Sequence, residues 1–144
     1  MRSAFQISLP WPPSMNSYWT PFAIPGTKRA TMTLTKRARM YRSEVSMAIR
    51  QKVGSVALVP FVGAVRLDVE LRAPDRRIRD LDNNLKGLLD SLTFNKVWRD
   101  DSQVDEMTVR RGAIIRDGAA LIIVTALEDQ PELVPAAADV DPFA

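Results

Sequence analysis

The segment Val65–Leu92 reads "VRLDVELRAPDRRIRDLDNNLKGLLDSL" and changes period halfway along. Val65, Leu67, Val69 and Leu71 alternate with Arg66, Asp68, Glu70 and Arg72, the pattern of a strand with one buried face. Leu85, Leu88, Leu89 and Leu92 recur at i, i+3, i+4 and i+7, which predicts a helix from about Asp82 to Leu92. Between the two, Arg76–Asp82 packs three arginines and two aspartates into seven residues. A strand that passes through a charged loop into an apolar helix implies an α+β unit with ionisable groups gathered at the helix mouth.

Working outward, "AFQISL" alternates as a first strand, and "PWPPS" stops it because proline cannot donate to a ladder. "MNSYWTPFAIPGTKRATMTL" reads as a long loop or ribbon. Thr35 is placed to cap a helix whose Ala38, Tyr41, Val45, Ala48, Ile49 and Val53 form one stripe. Beyond Leu92, Asn95-Lys96 ends the second helix and "VWRDDSQ" makes a short connection. "MTVRRGAII" and "ALIIVTAL" are expected to pair as a hairpin across Asp117-Gly118, a type I′ turn signal. The order is β-α-β-α-β-β: a single α+β domain with two main helices on one mixed or antiparallel sheet. We expect it to occupy residues 1–127. From Glu128 onward the chain has five acids and no Lys or Arg, so 128–144 is expected to be an acidic, disordered tail.

Composition narrows the chemistry. Without the tail the chain holds 20 basic and 12 acidic residues, a net of +8, which suits a polyanionic partner. His and Cys are both absent, which excludes an imidazole base, a His-based metal site and any thiolate site. No apolar run approaches the roughly 20 residues of a membrane helix. The N-terminus meets polar and proline residues too early for a signal peptide. A cytoplasmic protein is expected, with no membrane partner and no nucleotide cofactor.

Asp80 and Asp82 stand at i and i+2, so in extended backbone both carboxylates face one way. Two readings are open. Asp82 could simply cap the helix and complement its dipole. Alternatively, the pair could join an acid from Asp100-Asp101 around a cation. Two carboxylates at 4 Å repel by about 1 kcal/mol in water and about 4 kcal/mol at an effective dielectric of 20. Such a cluster would take Mg²⁺, or Mn²⁺, because both favour oxygen ligands. Lys86 lies one turn beyond Asp82. Carboxylate-held Mg²⁺, a lysine, and Arg76, Arg77 and Arg79 on the backbone make a set suited to phosphodiester cleavage.

Other candidates have plainer readings. Asp90, four residues after Lys86, either orients that amine or makes a surface pair. Trp11 reads as a rigid turn on the sheet, and Trp98 as core or dimer packing. Arg37, Arg39 and Arg42 read as a solvated helix face, with phosphate contact as the alternative.

Taken together, "PDRRIRDLDNNLKGLLDSL" and "VWRDDSQV" resemble the two signature blocks of the RusA-type Holliday-junction resolvases. "LPWPPSMNSYW" is similar to that family's opening block. The resemblance runs from about Phe5 to Leu127. It implies a homodimeric, Mg²⁺-dependent endonuclease that nicks four-way DNA junctions symmetrically. It implies Asp80, Asp82 and Asp101 as metal-binding acids, Lys86 as the catalytic lysine, and DNA roles for Asn16, Lys28 and Arg29. Asn84 and Gly87 depart from the family pattern. A branched-DNA-binding module without catalysis, or a nuclease for flaps or forks, are the rival expectations.

Overall fold

The alternation in Val65–Arg72 is complete, and that makes this strand the centre of the molecule: Val65, Leu67, Val69 and Leu71 are all buried. The structure is a computed structural model and describes residues 3–54 and 58–127. The tail expected at 128–144 lies outside the described residues. The elements are β1 (Ala4–Leu9), a one-turn α1 (Met15–Tyr18), β2 (Trp19–Ala23), β3 (Ala30–Leu34), α2 (Lys36–Val53), β4 (Val65–Arg72), α3 (Leu85–Phe94), β5 (Val104–Arg111) and β6 (Ala119–Ala126). Short 3₁₀ turns at Leu81–Asn84 and Asp101–Gln103 lead into α3 and β5.

The main sheet has the order β1-β6-β4-β5, and β2 and β3 form a separate two-stranded ribbon. β6 runs antiparallel to both β1 and β4, whereas β5 is parallel to β4. A parallel neighbour needs a crossover connection, which the charged loop and α3 supply. One sheet face carries the core. Phe5, Ile7 and Leu9 of β1 and the buried residues of β4 and β6 pack with Tyr41, Val45 and Ile49 of α2 and Leu88 and Leu92 of α3. Each such side chain contributes on the order of 1.5–3 kcal/mol by leaving water. Thr35 caps α2 as expected, its hydroxyl accepting from the Ala38 amide at 3.1 Å. Trp98 is fully buried core, and its indole donates to Thr93 Oγ1 at 2.7 Å. Among the described residues no helix is long and apolar enough to cross a membrane.

Two expectations are corrected. β5 and β6 are not a hairpin, because β4 lies between them. Asp117 and Gly118 do adopt the positive φ of a I′ turn, 66° and 70°, but the turn closes a strap rather than a strand pair. That strap, residues 112–118, crosses the end of β4: the Gly112 amide donates to Leu71 O at 2.9 Å and Ile115 to Ala73 O at 3.0 Å. A Cβ on Gly112 would stand 2.8 Å from the Glu70 side chain, so any larger residue there has to push that side chain aside. The second correction concerns α3. It begins at Leu85 rather than Asp82, and the 3₁₀ turn carries the chain from the loop into it.

Candidate active site

The charged loop between β4 and α3 is held by its own side chains. Asp75 accepts from the Arg77 amide at 2.9 Å and pairs with the Arg79 guanidinium at 2.8 Å. The Arg79 side chain, followed by the Arg77 amide, holds the Asp75 carboxyl down at about 2. Arg79 also donates to the carbonyls of Asp75 and Arg77, both at 3.3 Å, and lies 5.7 Å from the Trp11 ring centre. Arg111, at the end of β5, donates to the Arg79 carbonyl. Arg79 is thus turned inward as a clip. Arg76 and Arg77 stay exposed. A cleft of about 480 Å³ opens against this loop, lined by Trp11, Arg76, Arg77, Arg79, Asp80 and Arg111 among others.

Leu81 packs against the core while Asp80 and Asp82 on either side of it are exposed. Neither carboxylate caps anything. Asp80 occupies the cap position of the 3₁₀ turn without a side-chain hydrogen bond, and the cap position of α3 belongs to Asn84. Among the described residues neither acid has a hydrogen-bonding or ion-pair partner. The capping alternative for Asp82 is therefore not what the geometry contains.

Lys86 follows on the first turn of α3. Its ammonium stands 3.6 Å from the Asp101 carboxylate, with the two side chains 52% and 37% exposed. Asp101 reaches it because a capping box builds the turn before β5. The Asp100 side chain accepts from the Ser102 amide at 3.1 Å, and Gln103 Oε1 accepts from the Asp100 amide at 3.0 Å. Gln103 Nε2 in turn donates to the carbonyls of Phe61 and Gly63, at 2.8 and 2.9 Å. Hydrogen bonds from Ser102, side chain and then backbone, hold the Asp100 carboxyl below its ordinary range. The adjacent acids thus differ: Asp100 builds the turn and Asp101 faces the lysine.

Asn84 and Gly87 serve one structural purpose. Asn84 is buried and donates to the Pro12 carbonyl at 2.7 Å. A Cβ on Gly87 would stand 2.9 Å from the Tyr18 ring and 3.3 Å from the Pro13 carbonyl. Both residues seat the Trp11–Tyr18 segment against the mouth of α3. Asp90 does not orient Lys86. It binds Arg42 at 2.8 Å and accepts from the Tyr18 hydroxyl, whose pKa is raised by burial and by that carboxylate. Arg42 also lies 4.4 Å from the Phe94 ring centre, so it is a packing residue rather than part of a solvated face. Arg39 donates to the Leu34 carbonyl at 2.8 Å. Arg37 lines a second cleft with Ser14, Ser17 and Arg77, which shares Trp11 and Arg79 with the first. Asn16 is exposed on α1, and Lys28 and Arg29 are exposed in the turn of the β2–β3 ribbon. Sequence reading overlooked Arg111, which only the parallel register brings beside Leu71.

Among the described residues no three acids stand together as a ready-made metal cage. The donor set still fits Mg²⁺, which typically keeps several waters and takes one or two carboxylates plus substrate phosphates. Asp80 and Asp82 are free, exposed oxygen donors of that kind.

Comparison with known proteins shows a family. Residues 10–125 match the family described as Endodeoxyribonuclease RusA. The chain is 38% identical over 125 residues to a crossover junction endodeoxyribonuclease of Enterobacteria phage HK97, covering 86% of this chain and 96% of that protein. It is 30% identical over 128 residues to proteins of the same description from Enterobacteria phage 82 and Escherichia coli K12, covering 89% of this chain and 99% of each.

Proposed function

The chain belongs to the RusA endodeoxyribonuclease family, and on that footing we propose that it resolves four-way DNA junctions by Mg²⁺-dependent nicking of two strands. The observation that carries the catalytic part is the pair of exposed, unpartnered carboxylates, Asp80 and Asp82, beside a cleft lined with arginines. Asp80, Asp82 and Asp101 would hold the ion. Mg²⁺, when bound, assists attack on phosphorus and offsets charge on the phosphate.

The chain's own residues supply the rest. Arg76 and Arg77, exposed on a loop clipped by Asp75 and Arg79, grip the DNA backbone without having to order the loop first. Arg37 extends that surface along the second cleft, Asn16 meets DNA from the exposed side of α1, and Lys28 and Arg29 reach it from the ribbon. Lys86 is half exposed beside Asp101, so its ammonium can turn onto a phosphate oxygen and stabilise charge that grows in the transition state. A four-way junction is two-fold symmetric, so a homodimer with one site per subunit matches the need for paired cuts. Such a protein works in DNA recombination and repair, in the cytoplasm.

A binding module without catalysis would use the aspartates as caps, and neither is one. The test is labelled junction DNA with and without Mg²⁺, competed against linear duplex of equal length. Paired nicks that need Mg²⁺ and resist the duplex support the reading. Intact junctions overturn it, and cutting that prefers flaps or forks moves the substrate.

A further inference from the structure

The most exposed large apolar side chain among the described residues is Ile78, at 101%. It takes no part in the core. The backbone on both sides of it is nevertheless pinned. The Arg77 amide donates to Asp75 at 2.9 Å, Arg79 donates to the Arg77 carbonyl at 3.3 Å, and Arg111 donates to the Arg79 carbonyl. Arg79 is folded in, its side chain 21% exposed, while Ile78 and Asp80 on either side of it stand out and line the same cleft. An isoleucine left wholly in water on a braced loop forgoes the free energy of burial until something covers it. Its neighbours say what that is. Arg76 and Arg77 are exposed beside it, so an apolar protein surface would have to bury guanidinium groups along with it. DNA takes both at once: phosphates accept the arginines, and the base stack accepts the isoleucine.

We propose that Ile78 is a wedge that enters the base stack at the branch point of the junction and sets the preference for branched over linear DNA. This rests on the junction-resolving function proposed above. Isoleucine is one of the side chains that part a base step by insertion. Parting a step is hardest in continuous duplex and easiest where pairing or stacking is already broken. At a four-way junction the strands change partners, so the step at the branch is the easiest to open. Phosphate contacts from Arg76 and Arg77 cannot make that distinction, because the backbone charge is the same in both kinds of DNA. The position also fits the chemistry. Two residues of extended chain span at most about 7 Å, or about two base rises of roughly 3.4 Å. A wedge at Ile78 therefore sets the branch within a few nucleotides of the phosphate that Asp80 serves. The loop needs no ordering on binding, because Asp75, Arg79 and Arg111 hold it already.

The test is made without Mg²⁺, on a four-way junction carrying 2-aminopurine at the branch, whose fluorescence rises when the base unstacks. The parent chain is expected to raise it on binding, and Ile78→Ala to leave it near the level of the free junction. In gel shifts against linear duplex, Ile78→Ala should lose about tenfold of the junction preference while binding duplex as the parent does. Ile78→Phe, still apolar and larger, should keep both the rise and the preference. Met47→Ala removes an apolar side chain that is 61% exposed on α2 and lies outside the cleft, and it should match the parent. All three variants should melt with the parent, since neither side chain belongs to the core. A rise with Ile78→Ala equal to the parent's, an unchanged junction preference, or a parent that binds and cuts junctions without any rise overturns the wedge. None of these outcomes touches the nuclease reading, which fails only if junctions stay intact in Mg²⁺.

Discussion

The Lys86 ammonium stands 3.6 Å from the Asp101 carboxylate, joining the mouth of α3 to the turn before β5. Both groups are partly exposed, so the pair contributes only about 0–1 kcal/mol to stability. The role proposed for Lys86 is therefore catalytic rather than structural. Lys86→Ala is expected to slow nicking by about 10²–10³. Junction affinity should change little, since a charge that acts on the transition state lowers rate rather than binding. Single-turnover nicking beside a gel shift checks this. Normal cutting with weak binding would make Lys86 a phosphate anchor only.

The acids before β5 should separate cleanly. Asp100→Asn keeps a good capping side chain and is expected to nick at close to the parent rate. Asp101→Asn is expected to fold normally and to nick hardly at all, because it loses an anionic oxygen facing the site. Comparing the two variants on one junction reads the difference. The reverse pattern would exchange their roles.

Gly87 offers a prediction of opposite sign to the usual rule. Gly→Ala inside a helix ordinarily gains about 1 kcal/mol. Here the new Cβ would stand 2.9 Å from a Tyr18 ring that the Asp90 and Arg42 network holds in place. Gly87→Ala is expected to destabilise the chain by about 1–3 kcal/mol, as overpacking does. Urea unfolding measures it, and a gain in stability would show that the Tyr18 seat is loose.

Asp75 links the loop to pH. Its folded-state carboxyl lies at about 2, below the ordinary 3.8. A depressed acid stabilises the folded state above its unfolded value and loses that contribution as pH falls through the folded one. The thermal midpoint of the parent should therefore fall more than that of Asp75→Asn between pH 3.8 and about 2. Parallel curves for the two proteins would mean that the Asp75–Arg79 clip is not closed in solution.

Legibility followed local periodicity. β1, α2 and β4 stand where their alternation or stripe put them, because each buries one face against the core. The strand β5 lies where its residues suggest, but its partner is β4 rather than β6, because an exposed edge strand carries no strict alternation and the turn at Asp117-Gly118 has a hairpin's sequence. Spacing alone singled out Asp80, Asp82 and Lys86, and the structure leaves both carboxylates exposed and brings the lysine to Asp101. The division of labour between Asp100 and Asp101 was not read, although the Asp100-x-x-Gln103 spacing is itself a capping signal. Arg111 and the Asp90–Arg42–Tyr18 cluster depend on contacts across 32, 48 and 72 residues of chain, which no local pattern encodes.

Asp82→Asn tests the central claim most directly. Asn is nearly isosteric, and Asp82 makes no cap that the change could break. The variant is expected to fold and to bind junctions as well as the parent or more tightly, because one negative charge near the DNA backbone is gone. It should nevertheless give almost no nicking at Mg²⁺ concentrations that support the parent. The measurement is a gel shift without Mg²⁺ beside a nicking assay with it, on one labelled four-way junction. Tight binding without cutting is the expected result. Cutting at the parent rate by the folded, junction-binding variant would contradict the account.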